Sequence, residues 1–417
     1  MGRNFIQRGS RAYMRANLAL FFAGFVTFST LYTFQPLFPN LVKEFGISPA
    51  VASLSLSFAT FALALSLPIS GSLSDAWSRR GLMGFSVLLA SLLALASAAS
   101  STLPSLLVLR LLQGVALAGV PAVAMAYLNE EIDPRAIGSA MGLYIAGNAC
   151  GGMTGRILTA WLTDLFSWRM AVAGIGLVSV LLALLFWLTL PASRNFRRRE
   201  LHWGKLSHSL FSHLRNPGLF CLFLLAFTCM GGFVTLYNYV TFRLLGPAFA
   251  LSHSQVALIF LAYAFGAGGS SVMGGLVDRF GRAPLLFWAL GIMTCGLLLT
   301  LAPQLFAVIA GIIIFTIGFF GAHAIASAWV GVLAGQARAQ ASSLYLFAYY
   351  LGSSISGTAG GFFFSSWGWP GVVALIFLLL VCATLVGLCL TAVTRKKRPS
   401  AFEPDFCGSL PDVSPPP

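Results

Sequence analysis

Charge is what this sequence has least of. Among 417 residues only 25 are Lys or Arg and 11 are Asp or Glu, a charged share of 9%, against roughly 25% in an ordinary soluble domain. With 58% hydrophobic residues, a water-facing globule would lack its charged skin, which excludes a soluble enzyme, a disordered chain and a secreted disulfide scaffold. Several motifs are missing too. There is no GxxxxGK[ST] loop, HExxH, GxSxG or CxxC, so P-loop hydrolysis of ATP, zinc proteolysis and dithiol chemistry have no sequence basis. The seven cysteines (150, 221, 229, 295, 382, 389 and 407) read as small apolar residues. No cofactor, metal or nucleic acid is expected. What remains is an all-α membrane protein whose outer surface faces lipid.

The few charges punctuate the chain. Charge-free stretches run 16–42, 45–74, 81–109, 111–129, 136–155, 170–193, 216–242, 244–277, 283–337 and 339–394. A spanning helix needs about 20 apolar residues. The last two stretches each fit two helices, with breaks expected at Pro303-Gln304 and at Trp367-Gly368-Trp369-Pro370. Twelve helices are predicted, over 17–39, 50–74, 82–101, 104–128, 137–160, 169–190, 217–242, 252–275, 283–302, 305–328, 339–364 and 370–392. The expected organisation is a cytoplasmic tail 1–16, a six-helix bundle 17–190, a basic amphipathic linker 191–216 along the cytoplasmic face, a second bundle 217–393 and a disordered, Pro-rich cytoplasmic tail 394–417.

With both termini in the cytoplasm, 20 Lys and Arg lie inside, 3 (Lys43, Arg169, Arg243) outside, and 2 (Arg110, Arg156) within helices. That asymmetry fixes the orientation, and it accounts for a net charge of +14 through anionic lipid headgroups. A signal peptide is the rival reading of the first 40 residues, but the apolar run is too long for an h-region.

The halves repeat. Gly24-Phe25-Val26-Thr27 recurs as Gly232-Phe233-Val234-Thr235, and Gly71-x-Leu73-x-Asp75 recurs as Gly274-x-Leu276-x-Asp278. Tyr144, Gly151 and Trp168 match Tyr345, Gly352 and Trp369. Parallel six-helix repeats point to a transporter that rocks one half against the other.

The loop Gly71-Ser72-Leu73-Ser74-Asp75-Ala76-Trp77-Ser78-Arg79-Arg80 and its counterpart Gly274-Gly275-Leu276-Val277-Asp278-Arg279-Phe280-Gly281-Arg282 resemble the G-x-L-a-D-R-x-G-R-K signature of the major facilitator superfamily. The first copy departs at Ala76 and Ser78. The glycines allow close helix contact, and the Asp and Arg residues suit a cytoplasmic latch that breaks when the inner gate opens. Simple positive-inside punctuation is the alternative. Arg110-Leu111-Leu112-Gln113-Gly114 resembles the superfamily's R-x-x-q-G motif. A mid-span arginine costs about 3 kcal/mol to insert, so Arg110 and Gln113 are expected to face the cavity, with snorkelling to headgroups as the alternative. Gly147, Gly151 and Gly155 form a packing stripe in a segment similar to the antiporter motif G-x3-G-P-x2-G-G-x-L, with Gly152 in place of Pro and Arg156 in place of Gly. Arg156 has two open placements, facing the cavity or reaching the headgroups.

Tyr32, Gln35, Tyr144, Asn148, Tyr237, Asn238, Tyr345 and Tyr349 are further candidates for the cavity lining, on helices that meet at the pseudo-two-fold axis if the superfamily arrangement holds. No carboxylate lies near the bilayer midplane. Asp75, Glu130 and Glu131 are the cytoplasmic-side rim groups that proton coupling would use, although a solvated loop with local ion pairs is the simpler account of Glu130 and Glu131, together with Asp133 and Arg135. Within the superfamily, Leu18-Ala19-Leu20-Phe21, Gly151-Gly152-Met153-Thr154-Gly155-Arg156 and Ser342-Ser343-Leu344-Tyr345 are most similar to the YnfM-type bacterial inner-membrane permeases. That resemblance implies proton-driven export of a drug or sugar-like compound by alternating access, by a multi-pass inner-membrane protein acting as a monomer. An organic-anion carrier using Arg110 and Arg156 is the alternative. A non-transporting sensor ranks third, for want of a signalling domain.

Overall fold

The computed structural model describes residues 5–196, 211–335 and 338–396. Among these, nine helices are long and apolar enough to cross a membrane. One of the nine, running over Arg338–Lys396, reverses at Gly368 (φ 62°, ψ −148°), just ahead of Pro370. A left-handed φ suits glycine, and the reversal falls where the Trp-Gly-Trp-Pro run predicts it. Counting its arms separately, and adding the broken and the glycine-rich helices, gives twelve traverses. In chain order these are α1 (Arg11–Phe45), α2 (Pro49–Ala76), α3 (Arg79–Ala98), α4 (Leu103–Leu117 continued by Pro121–Glu131), α5 (Ile137–Leu165) and α6 (Trp168–Thr189). The second half holds α7 (Pro217–Leu245), α8 (His253–Phe280), α9 (Arg282–Leu299), α10 (Leu305–Leu333), and α11 and α12 on either side of Gly368.

Local chemistry sets the helix ends. The side chains of Ser10, Ser48, Ser78, Thr102, Ser167, Asn216 and Ser252 each accept a first-turn N–H, which satisfies donors that lipid would leave bare. Pro36 and Pro121 interrupt α1 and α4 by removing a helix N–H.

α1 packs on α5, and α7 packs on α11 in the same way. A Cβ on Gly151 would stand 2.2 Å from the Phe25 carbonyl oxygen, and one on Gly352 would stand 2.1 Å from that of Phe227. The same glycine-to-carbonyl contact therefore recurs in both halves, as the repeat predicts. Gly147 and Gly155 complete the stripe, against Phe21 and Ser29.

The start of the first helix differs from expectation. The helix starts at Arg11 inside the predicted tail, and residues before it are pinned: the Ile6 N–H donates to the Glu131 carbonyl at 2.7 Å, and the Asp133 N–H donates to the Ile6 carbonyl at 3.2 Å. The expected linker conformation over 197–210 and the tail beyond 396 lie outside the described residues.

Candidate functional site

Each bundle has a termini face, where the described chain begins and ends, and a far face. The two bundles meet chiefly through α2 with α11 and through α5 with α8. Side-chain hydrogen bonds join them in the far halves of the helices. Thr60 and Ser354 share one at 2.7 Å and the Thr358 hydroxyl donates to Ser57 Oγ at 2.8 Å. Gln35 Nε2 donates to Asn238 Oδ1 at 2.7 Å. At the far end, Asp164 Oδ2 accepts from both the Ser254 N–H (2.7 Å) and its hydroxyl (2.5 Å).

Arg156 sits at the middle of this seam and is 1% exposed, so it does not reach for headgroups. Its Nε donates to Gln35 Oε1 at 2.6 Å and its Nη1 to the Gly152 carbonyl, also at 2.6 Å. The guanidinium carbon lies 3.9 Å from the centre of the Tyr32 ring, 5.0 Å from that of Phe260 and 5.1 Å from that of Tyr263. Cation–π contacts of this kind stabilise a desolvated cation. Gln35 thus links Arg156 of the first bundle to Asn238 of the second.

Arg110 is fully buried, but its surroundings are different. Nε donates to the Ser55 carbonyl at 2.7 Å, Nη1 to the Thr30 carbonyl at 3.1 Å and to Gln113 Oε1, and Nη2 to the Leu31 carbonyl at 2.5 Å. The carbonyls of Thr30 and Leu31 stand beside the break in α1 at Pro36, where the helix leaves acceptor capacity to spare. Gln113 donates in turn to the Ala90 carbonyl at 3.1 Å. Arg110 and Gln113 therefore tie α1, α2, α3 and α4 together inside the first bundle. They are neither snorkelled nor turned to the seam.

The remaining candidates divide. Asn148 sets its amide oxygen against Gly24, and Tyr144 is buried with its hydroxyl unpartnered. Tyr237 shares a hydrogen bond with Thr316 at 2.7 Å and stacks on Phe260. Tyr345 shares one with His323 Nδ1 at 3.0 Å, and Tyr349 packs on the same imidazole at 4.9 Å. Phe260, Tyr263 and the Ser57, Thr60, Ser354 and Thr358 hydroxyls are seam residues that sequence reasoning missed. No local signal marks them, since each acquires its role from a helix of the other half.

On the termini face, Arg79 donates to Glu130 from Nε (3.1 Å) and Nη2 (2.7 Å), and also to Ser74 Oγ. Arg80 reaches the Trp187 carbonyl at 2.7 Å. Glu130 and Glu131 end α4 and do not form a solvated loop: Glu131 is fully buried, one oxygen accepting the Asn195 N–H at 2.8 Å and the other unpartnered. Ile6 and Asn195 arrive from distant sequence to cover it. Asp278 is exposed, Arg279 lies over the Phe280 ring at 5.2 Å, and the Arg282 Nε is buried without a partner. The side chain of Asp75 lies outside the described ones. A Cβ on Gly71 or Gly274 would meet nothing within 4 Å, so the close helix contact expected there is not made. Gly281 takes φ +80° between α8 and α9.

The far-face contact at Asp164, beyond the span expected over 137–160, carries a prediction. Burial pushes this carboxyl up, but the Ser254 hydroxyl and N–H, with His253 nearby, outweigh it and hold it below the usual 3.8. The ionised contact is thus present above the ordinary carboxylate range and is lost only as pH falls through the lower folded value. Labelling of a Ser57→Cys reporter from the far face, taken relative to the same thiol in denatured protein at each pH because thiolate formation alone speeds alkylation, should be flat between about pH 5 and 8, and should rise severalfold in Asp164→Asn.

Comparison with known proteins places this geometry. The family model described as Major Facilitator Superfamily matches residues 20–246 and 236–406. The chain is 48% identical over 384 residues to the "Uncharacterized MFS-type transporter YybF" of Bacillus subtilis (strain 168), covering 92% of this chain and 95% of that protein. It is 47% identical over 383 residues to the "Inner membrane transport protein YnfM" of Escherichia coli (strain K12), covering 92% of each. In fold it is similar to a crystal structure of a bacterial homolog of the human lysosomal transporter Spinster in an inward-facing, unoccupied conformation (TM-score 0.73, 17% identity, 94% of this chain and 100% of that one). It is likewise similar to a crystal structure of a point mutant of the nucleoside transporter NupG (TM-score 0.71, 16% identity, 91% and 99%). The chain belongs to the major facilitator superfamily and is a multi-pass membrane transporter.

Proposed function

We propose that this chain is a proton-coupled exporter of small molecules in a bacterial inner membrane, working by alternating access with both termini cytoplasmic. The observation that carries the reading is the uneven seam: hydrogen bonds join the bundles from Thr60–Ser354 outward to Asp164–Ser254, while on the termini face a Cβ added at Gly71 or Gly274 of the signature loops would meet nothing within 4 Å. That is one end state of a two-state rocking motion around a fixed central site. Its mate would break the far-face bonds and bring Gly71 and Gly274, with their Asp and Arg neighbours, against the opposite bundle. Export and proton coupling rest on the similarity of α5 to exporters and of the whole chain to YnfM-type permeases. Glu131 is the group proposed to take the proton, because it is a buried carboxylate with one unpartnered oxygen next to the termini face.

Everted membrane vesicles test this reading with a panel of lipophilic cations, neutral sugars and aromatic carboxylates. Acidifying the lumen should drive uptake of at least one class. A protonophore or Glu131→Gln should reduce that uptake by about tenfold or more, the scale expected when a proton-transfer group is lost. Movement indifferent to both removes the proton from the mechanism. No movement of any class in everted or right-side-out vesicles overturns the proposal.

A further inference from the structure

The charge balance at the seam is incomplete. Arg156 is a buried cation, and each described carboxylate is placed away from it. Glu44 is taken by Arg169, Glu130 by Arg79, Glu131 by the Asn195 N–H and Asp164 by Ser254. Asp133 accepts from the Arg135 N–H, and Asp278 stands exposed at the termini end of α8. Asp75 also belongs to the termini end, of α2. A buried cation without an anion is costly, since desolvation removes its hydration and the rings and neutral acceptors return only part of it.

The guanidinium is also under-used. Nε and Nη1 each donate once, to Gln35 and Gly152, and Nη2 donates to no protein group among the described residues. Arg110 gives the comparison within the same bundle, for each of its three nitrogens has an acceptor. Beside Arg156 a second donor is idle. Asn238 is fully buried, and its Nδ2 has no partner while its Oδ1 accepts from Gln35. The phenol hydroxyls of Tyr32 and Tyr263 make no hydrogen bond among the described residues. Two donors, Arg156 Nη2 and Asn238 Nδ2, are therefore unused here, no described carboxylate is paired with them, and the walls are aromatic.

We infer that Arg156 receives the anionic group of the transported compound, and that Tyr32, Phe260 and Tyr263 accommodate a ring attached to it, so that the substrate class is an amphipathic organic anion. Carboxylate, sulfonate and phosphonate all present planar or clustered oxygens that suit a guanidinium edge. The site joins α1, α5, α7 and α8, hence both bundles. An anion bound there would bridge the halves and alter the balance between the two end states. The inference rests on the transporter reading above and adds the charge of the cargo to it.

The test uses the full-length protein in detergent and three probes of one shape: naphthoate, naphthamide and naphthylmethylammonium. A ligand that binds the folded state raises Tm by mass action. Naphthoate is expected to stabilise saturably, and the amide and ammonium at least about tenfold more weakly, as loss of a charge-assisted hydrogen bond implies. Arg156→Gln should lose the naphthoate effect and Arg156→Lys should keep part of it. Equal stabilisation by all three, preference for the ammonium, no effect of naphthoate, or an effect unchanged in Arg156→Gln overturns the inference. If Arg156→Gln does not fold, the ranking of the three probes on the unaltered protein decides. The vesicle experiment reads movement without regard to charge. An ammonium that binds and is transported removes only the anion assignment, whereas failure of every compound to move removes the transporter reading beneath it.

Discussion

Gly151→Leu should strongly destabilise the first bundle, while Gly142→Leu on the same helix leaves its stability nearly unchanged. At position 151 the added Cβ would lie 2.2 Å from the Phe25 carbonyl oxygen and 2.5 Å from the Phe25 Cα. Both are backbone atoms of α1, which no rotamer change can move aside. The helices would have to part by more than an ångström. Gly147 and Gly155 make the same kind of approach above and below, so the parting would spread along the α1–α5 contact. In lipid, association of two helices depends on close packing, with little hydrophobic drive to replace it. Overpacking typically costs about 1–3 kcal/mol where side chains can yield. Against backbone the expected loss is at least about 3 kcal/mol, or roughly 10 °C in Tm for a bundle of this size. Gly142 is exposed, and a Cβ there meets nothing within 4 Å, so its replacement should stay within about 0.5 kcal/mol of neutral. Size-exclusion profiles and melting curves of the two variants make the comparison directly. Gly352→Leu should behave like Gly151→Leu, because it meets Phe227 in the same way.

How much of this was legible in the sequence depends on the range of the interaction. Helix ends were readable to within a few residues because lipid excludes charge and because Ser, Thr, Asn and Pro cap locally. The glycine stripe was readable because period four along a helix is local information. Arg110 and Gln113, three residues apart, were recognised as neighbours and do bond to each other. Their environment was not readable: the acceptors for Arg110 come from α1 and α2, two of them in the last turn before α1 breaks, and nothing near residue 110 announces that. The same limit explains Arg156. Its periodicity left two directions open, and the choice was made by Gln35 on α1 and by Phe260 and Tyr263 on α8. Glu131 is the sharpest case. Its local sequence reads as an acidic loop, and it is buried because Ile6 and Asn195 fold over it from opposite ends of the first bundle.

The largest functional effect should come from welding the seam shut. The hydroxyls of Ser57 and Thr358 are 2.8 Å apart across the two bundles, so thiols at both positions would stand within reach of a disulfide after small side-chain adjustment. Alternating access requires this pair to separate on every cycle. With the native cysteines replaced, Ser57→Cys/Thr358→Cys should transport when reduced. It should lose nearly all transport, on the order of a hundredfold, once oxidised, and recover on adding reductant. Each single-cysteine variant should be indifferent to oxidant. The decisive measurement is therefore the rate of transport in vesicles carrying the oxidised double variant, with cross-linking confirmed on the same sample. Arrest that is reversed by reductant is the predicted result. Undiminished transport through a fully cross-linked protein would contradict the account, because the two bundles would then be moving substrate without parting at the far face.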